Sequence, residues 1–262
     1  MKKNQLVISM TLIISAFIVF SQSLEVSAAE VTQNNLTSSA AVEELLLEGL
    51  QAHQAEINLS DYNITVDQFK AMYRPFLKNH PELFFVENSY NYYAKKSGKV
   101  TRILPIYSEN MGTLQQQELE TVKNQILGSV IKDGMSQRDK VKAVHDYLVM
   151  NCKYDTQNYL NNTVPRESCT AYGALVKKVA VCDGYACAMN LLLNEVGVEC
   201  VYVASKAMGH GWNRVKVDGV WYHVDTTWDV PASGSQAKVS YQYFLLTDEQ
   251  IQTVGEVHYG WN

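Results

Sequence analysis

The sequence predicts an α+β fold in which a run of helices precedes an antiparallel sheet, with a small N-terminal α/β region ahead of both. Between residues 114 and 196, apolar residues recur at the three-and-four spacing of helices. From residue 199 they alternate in short β-branched runs joined by tight turns. Helices grouped before strands, rather than alternating with them, exclude a doubly wound parallel sheet. Composition agrees: 262 residues with 47% hydrophobic and 19% charged can bury a sizeable core.

The first residues have the pattern of an export address. Lys2 and Lys3 precede the uncharged run 6–20, and Ser27-Ala28-Ala29 supplies small residues for cleavage. The run is shorter than the roughly 20 residues of a membrane span. Residues 1–29 are therefore expected to be a signal peptide cleaved near Ala28-Ala29. The mature protein is expected to be secreted or cell-envelope associated, with no stable membrane span.

Residues 30–39 are polar and read as a mobile leader, and 40–55 as a helix. Thr65, with Gln68 three residues on, caps a second helix whose stripe is Phe69, Met72, Tyr73 and Phe76. Pro75 is expected to kink or break it, and His80-Pro81 to end it. Residues 90–107 read as a hairpin turning at Ser97-Gly98-Lys99, with Pro105 placing the second strand at a sheet edge. Its tyrosines suit packing across strands at least as well as binding a flat substrate. No role is assigned to region 30–112.

The second region, 113–262, begins with helices over 114–131 and 137–150, the latter capped by Ser136 and carrying His145. A polar loop at 155–168 leads to two helical segments, 170–181 and 183–196. Strands follow at 199–205, 210–217, 220–226 and 241–246.

A net charge of −5 without any basic block argues against nucleic acid as partner. The five cysteines lie between residues 152 and 200 with no C-x-x-C or H-x₃-H spacing, so no zinc set is expected. Neither a nucleotide motif nor a cofactor motif is present, and no cofactor is expected. In an oxidising compartment an odd count leaves at least one thiol unpaired. Several of the five suit the role of small buried hydrophobes.

The chemistry gathers between residues 182 and 229. Asp218-Gly219 is a strong hairpin signal, which sets Val217 opposite Val220 and Arg214 opposite His223. Continued outward, this register puts His210, Trp212, Asp225, Thr227 and Asp229 on one face. Val215, Val217, Tyr222 and Val224 take the other, facing the core. Asp225 and Asp229 are the two diagonal neighbours of His210, and geometry alone does not choose between them. Pro231 suggests the strand is ending near Asp229, which favours Asp225. Cys182 is the last residue before an apolar helix, where unpaired N–H groups favour thiolate over thiol. Cys187, inside that helix, is placed to pack.

Two segments carry a family pattern: Ala171-Tyr172-Gly173-Ala174-Leu175 with Val181-Cys182-Asp183-Gly184-Tyr185-Ala186, and Gly209-His210-Gly211-Trp212-Asn213 with the stretch from Asp218 to Asp229. Together they resemble the core of the transglutaminase-like superfamily, in its secreted bacterial branch, over roughly residues 136–262. The resemblance implies a papain-like core and a catalytic triad of Cys182, His210 and Asp225, selecting Asp225 over Asp229. It further implies a thioester intermediate formed from a carboxamide or peptide bond and resolved by an amine or by water. The Cys182 N–H is the natural first oxyanion donor, and Tyr172 a candidate second. Trp212 and Trp228 flank the site, where they shield it, bind the acyl chain or simply pack. His223 receives no role. The expected substrates are extracellular or cell-envelope proteins and peptides. The alternative is a catalytically silent binding or envelope-scaffold module of the same fold.

Overall fold

The computed structural model describes residues 26–231, 239–255 and 257–261. The apolar run 6–20 lies outside them. Helix α1 (Val26–Gln51) extends back through the polar residues 30–39, which were expected to be irregular. No proline, and no glycine before Gly49, interrupts that stretch.

After β1 (Ile57–Asn58) comes α2 (Val66–Asn79). Its start is a capping box: Thr65 Oγ1 accepts from Gln68 N–H, and Gln68 Oε1 accepts from Thr65 N–H. Contrary to expectation, Pro75 does not break the helix. Phe69 and Tyr73 before it, and Phe76 and Leu77 after it, are all buried and anchor both halves. A hairpin follows, β2 (Val86–Ala94) and β3 (Val100–Tyr107), turned by Gly98 at φ +80°. The sheet order β1-β3-β2 makes β3 the central strand, not an edge. Pro105 is tolerated there because β1 pairs only with Arg102 and Ile103 and stops short of it.

Helices α3 (Thr113–Val130) and α4 (Gln137–Asn151) come next, the second capped by Ser136 as its sequence predicts. Strand β4 (Lys153–Tyr154) and α5 (Thr156–Leu160) lead into a 3₁₀ turn at Arg166–Cys169, so the expected loop is partly ordered. The helix expected over 170–181 is only a π-helical turn, Gly173–Lys177. Lys178 ends it in the left-handed region at φ +61°. The β-branched Val179 then enters β5 (Val179–Ala180), which pairs in parallel with β4.

Helix α6 (Cys182–Glu195) is followed by the main sheet: β6 (Cys200–Ser205), β7 (His210–Val217), β8 (Val220–Val224) and β9 (Phe244–Leu246), antiparallel in that order. A short α7 (Asp248–Ile251) comes after β9. Asp218 and Gly219 both take positive φ, +51° and +83°, as a two-residue hairpin turn requires. Val217 pairs with Val220 and Arg214 with His223, the register read from the sequence. α6 is buried along most of its length, against β7 and α4. One hydrophobic core cluster runs from Val42 in α1 to Leu245 in β9. Among the described residues no helix is long and apolar enough to cross a membrane.

Candidate active site

Cys182 is the first residue of α6, and Val181 before it is extended at φ −95° and ψ −179°. Val181 has no side-chain oxygen with which to cap the helix, so the first N–H groups keep their partial positive charge beside the thiol. The helix start is pinned from behind, where Val181 N–H donates to Ser168 O at 2.9 Å. At Gly184 a Cβ would come 2.5 Å from that same Ser168 carbonyl oxygen. Only glycine lets the 168–170 segment lie this close to the helix.

His210 opens β7 and Asp225 is the first residue past β8. His210 Nε2–H donates to Asp225 Oδ2 at 2.6 Å, and the imidazole and the Cys182 thiol line the same cleft. With Nε2 taken by the carboxylate, Nδ1 is the nitrogen left for the thiol. Asp225 is fully buried and held on all sides. Its Oδ1 accepts from Thr227 N–H at 3.0 Å and Trp228 N–H at 3.2 Å, and its own N–H donates to Tyr243 O. Burial opposes the charge on this carboxylate, but the donors from His210 and His258 outweigh it and hold its pKa below the usual range. Burial likewise pushes the His210 imidazole down. The hydrogen bond to Asp225 and the neighbouring Cys182 thiol reverse the sign and raise it to about 10.

The site opens into a cleft of about 410 Å³ walled by Tyr154, Tyr159, Met208, Thr227 and Trp228, with Cys182 and His210 in its lining. Trp228 stacks on the His210 ring at 4.8 Å with planes 14° apart. Trp212 lies nearly parallel to His210 at 5.7 Å but is buried and does not line the cleft. Its indole N–H donates to His223 Nδ1 at 2.8 Å. His223 in turn donates through Nε2 to Asp248, which fixes the plane of the tryptophan. A larger groove of about 1140 Å³ opens between α3, α6 and the segment after α2, and contains neither Cys182 nor His210.

Two expectations need correction. Tyr172 is not at the cleft: its hydroxyl donates to Glu118 at 2.6 Å and its ring stacks on Phe84 at 5.3 Å. Its closeness in sequence to Cys182 is undone by the π-helical turn and β5 between them. The shared face assumed for Asp225, Thr227 and Asp229 also fails, because β8 ends at Val224 and the chain turns there. Asp229 is drawn elsewhere, accepting from His145 Nε2–H on α4 at 3.0 Å and from Ser240 and Tyr243.

Tyr154 and His258 escaped the sequence reading. Tyr154 sits on β4, in a stretch read as the edge of a loop. His258 is fully buried, and its Nε2 lies 2.9 Å from Asp225 Oδ2. A lone histidine in an irregular C-terminal segment carries no periodic or motif signal. The ligand-type atoms of His210, Asp225 and His258 all lie within 4.8 Å of one another. The two N···O separations are hydrogen-bond lengths, each imidazole directing an N–H at one carboxylate oxygen. All five cysteines are free thiols; burial raises Cys152, Cys169 and Cys187 to about 11 and pushes Cys200 up as well.

Residues 124–226 match the family described as the transglutaminase-like superfamily. The chain is 24% identical over 139 residues to the kyphoscoliosis peptidase of Mus musculus and 23% identical over 140 residues to that of Homo sapiens. Each match covers 48% of this chain. The chain spans about a fifth of those relatives' length, 21% and 20%. Among solved structures it is similar to a transglutaminase, with TM-score 0.41 and 16% identity over 70% of this chain and 53% of the other. It is also similar to a proposed cysteine protease from Cytophaga hutchinsonii, with TM-score 0.33 and 13% identity over 55% and 63%.

Proposed function

We propose, from the match of residues 124–226 to the transglutaminase-like superfamily, that Cys182, His210 and Asp225 are the catalytic triad of a thiol enzyme acting on carboxamide or peptide bonds. The observation that carries the reading is the His210 imidazole, which donates to Asp225 Oδ2 at 2.6 Å and lies with Cys182 in the lining of one open cleft.

In this mechanism the Cys182 thiolate adds to the substrate carbonyl carbon. The uncapped α6 N-terminus, with the Cys182 N–H first, stabilises the negative oxygen. The C–N bond then breaks as His210 gives its Nδ1 proton to the leaving nitrogen, which departs as ammonia or an amine and leaves a thioester. An incoming amine or water loses its proton to the same Nδ1 and attacks the thioester carbon. The thiolate is released beside the reformed imidazolium. Asp225 holds the ring in orientation and balances its charge, and Trp228, stacked on the ring, keeps water from that face. With the signal-like residues 1–29, the substrates are peptides or proteins outside the cell or in its envelope.

The test is Cys182→Ala together with His210→Ala. Wild-type protein is expected to be alkylated by iodoacetamide at neutral pH at Cys182, rapidly and in a His210-dependent way, and to release ammonia or an amine from a peptide carboxamide. Alkylation at an ordinary thiol rate, indifferent to His210→Ala, would turn the reading to a silent binding module. Running the reaction with and without a primary amine separates acyl transfer from hydrolysis.

A further inference from the structure

Asp225 Oδ2 serves two imidazoles. His210 Nε2 approaches it at 2.6 Å and His258 Nε2 at 2.9 Å, from elements 48 residues apart in sequence. An ionised carboxylate only accepts, so both nitrogens carry hydrogen. The two rings differ in what their second nitrogen meets. The second nitrogen of His210 belongs to a ring that lines the cleft with Cys182, whereas His258 Nδ1 is buried with no hydrogen-bond partner among the described residues. A proton there would be a buried donor with nowhere to go, a costly state, while a bare lone pair costs less. Trp212 at 4.6 Å and Trp228 at 4.2 Å clamp His258, the same two indoles that stack on His210.

We propose that His258 is a positioning residue for the reaction, a neutral second donor that fixes the Asp225 carboxylate and limits how much of its charge reaches His210. This rests on the triad reading above. The titratable groups around the pair are Cys182, Tyr154, Tyr243 and His223. Without the His258 donor, the carboxylate would interact more strongly with the His210 N–H. The imidazolium would then persist to higher pH, and Asp225 would be free to rotate about its side chain.

The experiment compares wild type with His258→Phe, which keeps a ring but no donor, and His258→Gln, which keeps a donor. Cys182→Ala runs in parallel. The readouts are kcat and KM on a peptide carboxamide, the His210 titration by side-chain NMR, and Tm. His258→Phe is expected to lower kcat about ten- to a hundredfold with a smaller change in KM, and to move the His210 titration upward by half a pH unit or more. His258→Gln should restore most of both. A His258→Phe titration and kcat superimposable on wild type, with Cys182→Ala inactive, would overturn this role and leave the triad standing. Full activity in Cys182→Ala would remove the triad and this role together. Should His258→Phe fail to fold, NMR of wild type decides: His258 must be the neutral Nε2–H tautomer at pH 7, and an imidazolium there refutes the proposal.

Discussion

Lys78 Nζ lies 2.8 Å from Asp183 Oδ2, joining a buried lysine of α2 to the residue immediately after Cys182. The contact is reinforced on both sides: Lys78 also donates to Cys169 O at 3.2 Å, and Tyr202 Oη donates to Asp183 Oδ1 at 2.6 Å. Burial works against the Asp183 charge, but Lys78 and Tyr202 overcome it and hold its carboxyl below the usual range. The N-terminal region thus braces the start of α6 from behind the cleft.

Removing that brace leaves a buried carboxylate without its cation. Lys78→Met is expected to cost about 3 kcal/mol, at the lower end for a broken buried pair because Arg74 stands 3.8 Å away. Thermal unfolding measures it. The double substitution Lys78→Met, Asp183→Asn should recover part of the loss, and a Tm unchanged in the single variant would show that the pair carries no stability.

Asp225→Asn replaces the charge that supports the His210 imidazolium. The folded-state value of His210 stands near 10, above its unfolded value, so stability from the charged ring is full below about pH 6.5 and lost as pH rises through 10. In Asp225→Asn the loss should begin at markedly lower pH. The alkaline limb of kcat/KM should move down with it, the opposite direction to His258→Phe. An alkaline limb in the same place would mean that the carboxylate does not set the charge on the ring.

His223 behaves in the reverse sense. Burial pushes its imidazole down to about 4 despite the Asp248 hydrogen bond, so the folded protein stays neutral there while the unfolded chain takes up a proton. Stability is full above about pH 6.5 and falls as pH drops toward 4, by up to about 1.4 kcal/mol per pH unit. His223→Gln, which retains a donor and an acceptor, should flatten that part of the stability curve in denaturant titrations at pH 4.5 and 7. Equal slopes in the two proteins would refute the assignment.

Tyr172 and Tyr154 make a paired test of what forms the cleft. With the Tyr172 hydroxyl bound to Glu118, Tyr172→Phe should leave kcat unchanged and cost about 1 kcal/mol of stability for the lost hydrogen bond. Tyr154→Ala opens a wall of the cleft and should raise KM severalfold. A large fall in kcat for Tyr172→Phe would restore Tyr172 to the chemistry.

Much of this protein is written in neighbouring residues. The Thr65–Gln68 capping box, the Ser136 cap, the Asp218-Gly219 turn with its register, and the start of α6 at Cys182 all depend on groups within a few positions of one another. Such contacts follow from helix and strand periodicity and from turn chemistry, so the sequence determines them by itself. Cys182 and His210 are legible in the sequence for that reason. The tertiary structure alone decided the rest: His258 on Asp225, Lys78 behind Asp183, His145 claiming Asp229, and Tyr154 rather than Tyr172 at the cleft. Each of these is a polar contact between residues 33 to 105 positions apart, or an outcome of where a short strand stops. A lone histidine or lysine has no period and no local partner to betray it. Its place is set by the packing of helices and sheet around the hydrophobic core, and by the need to pair every charge that packing buries.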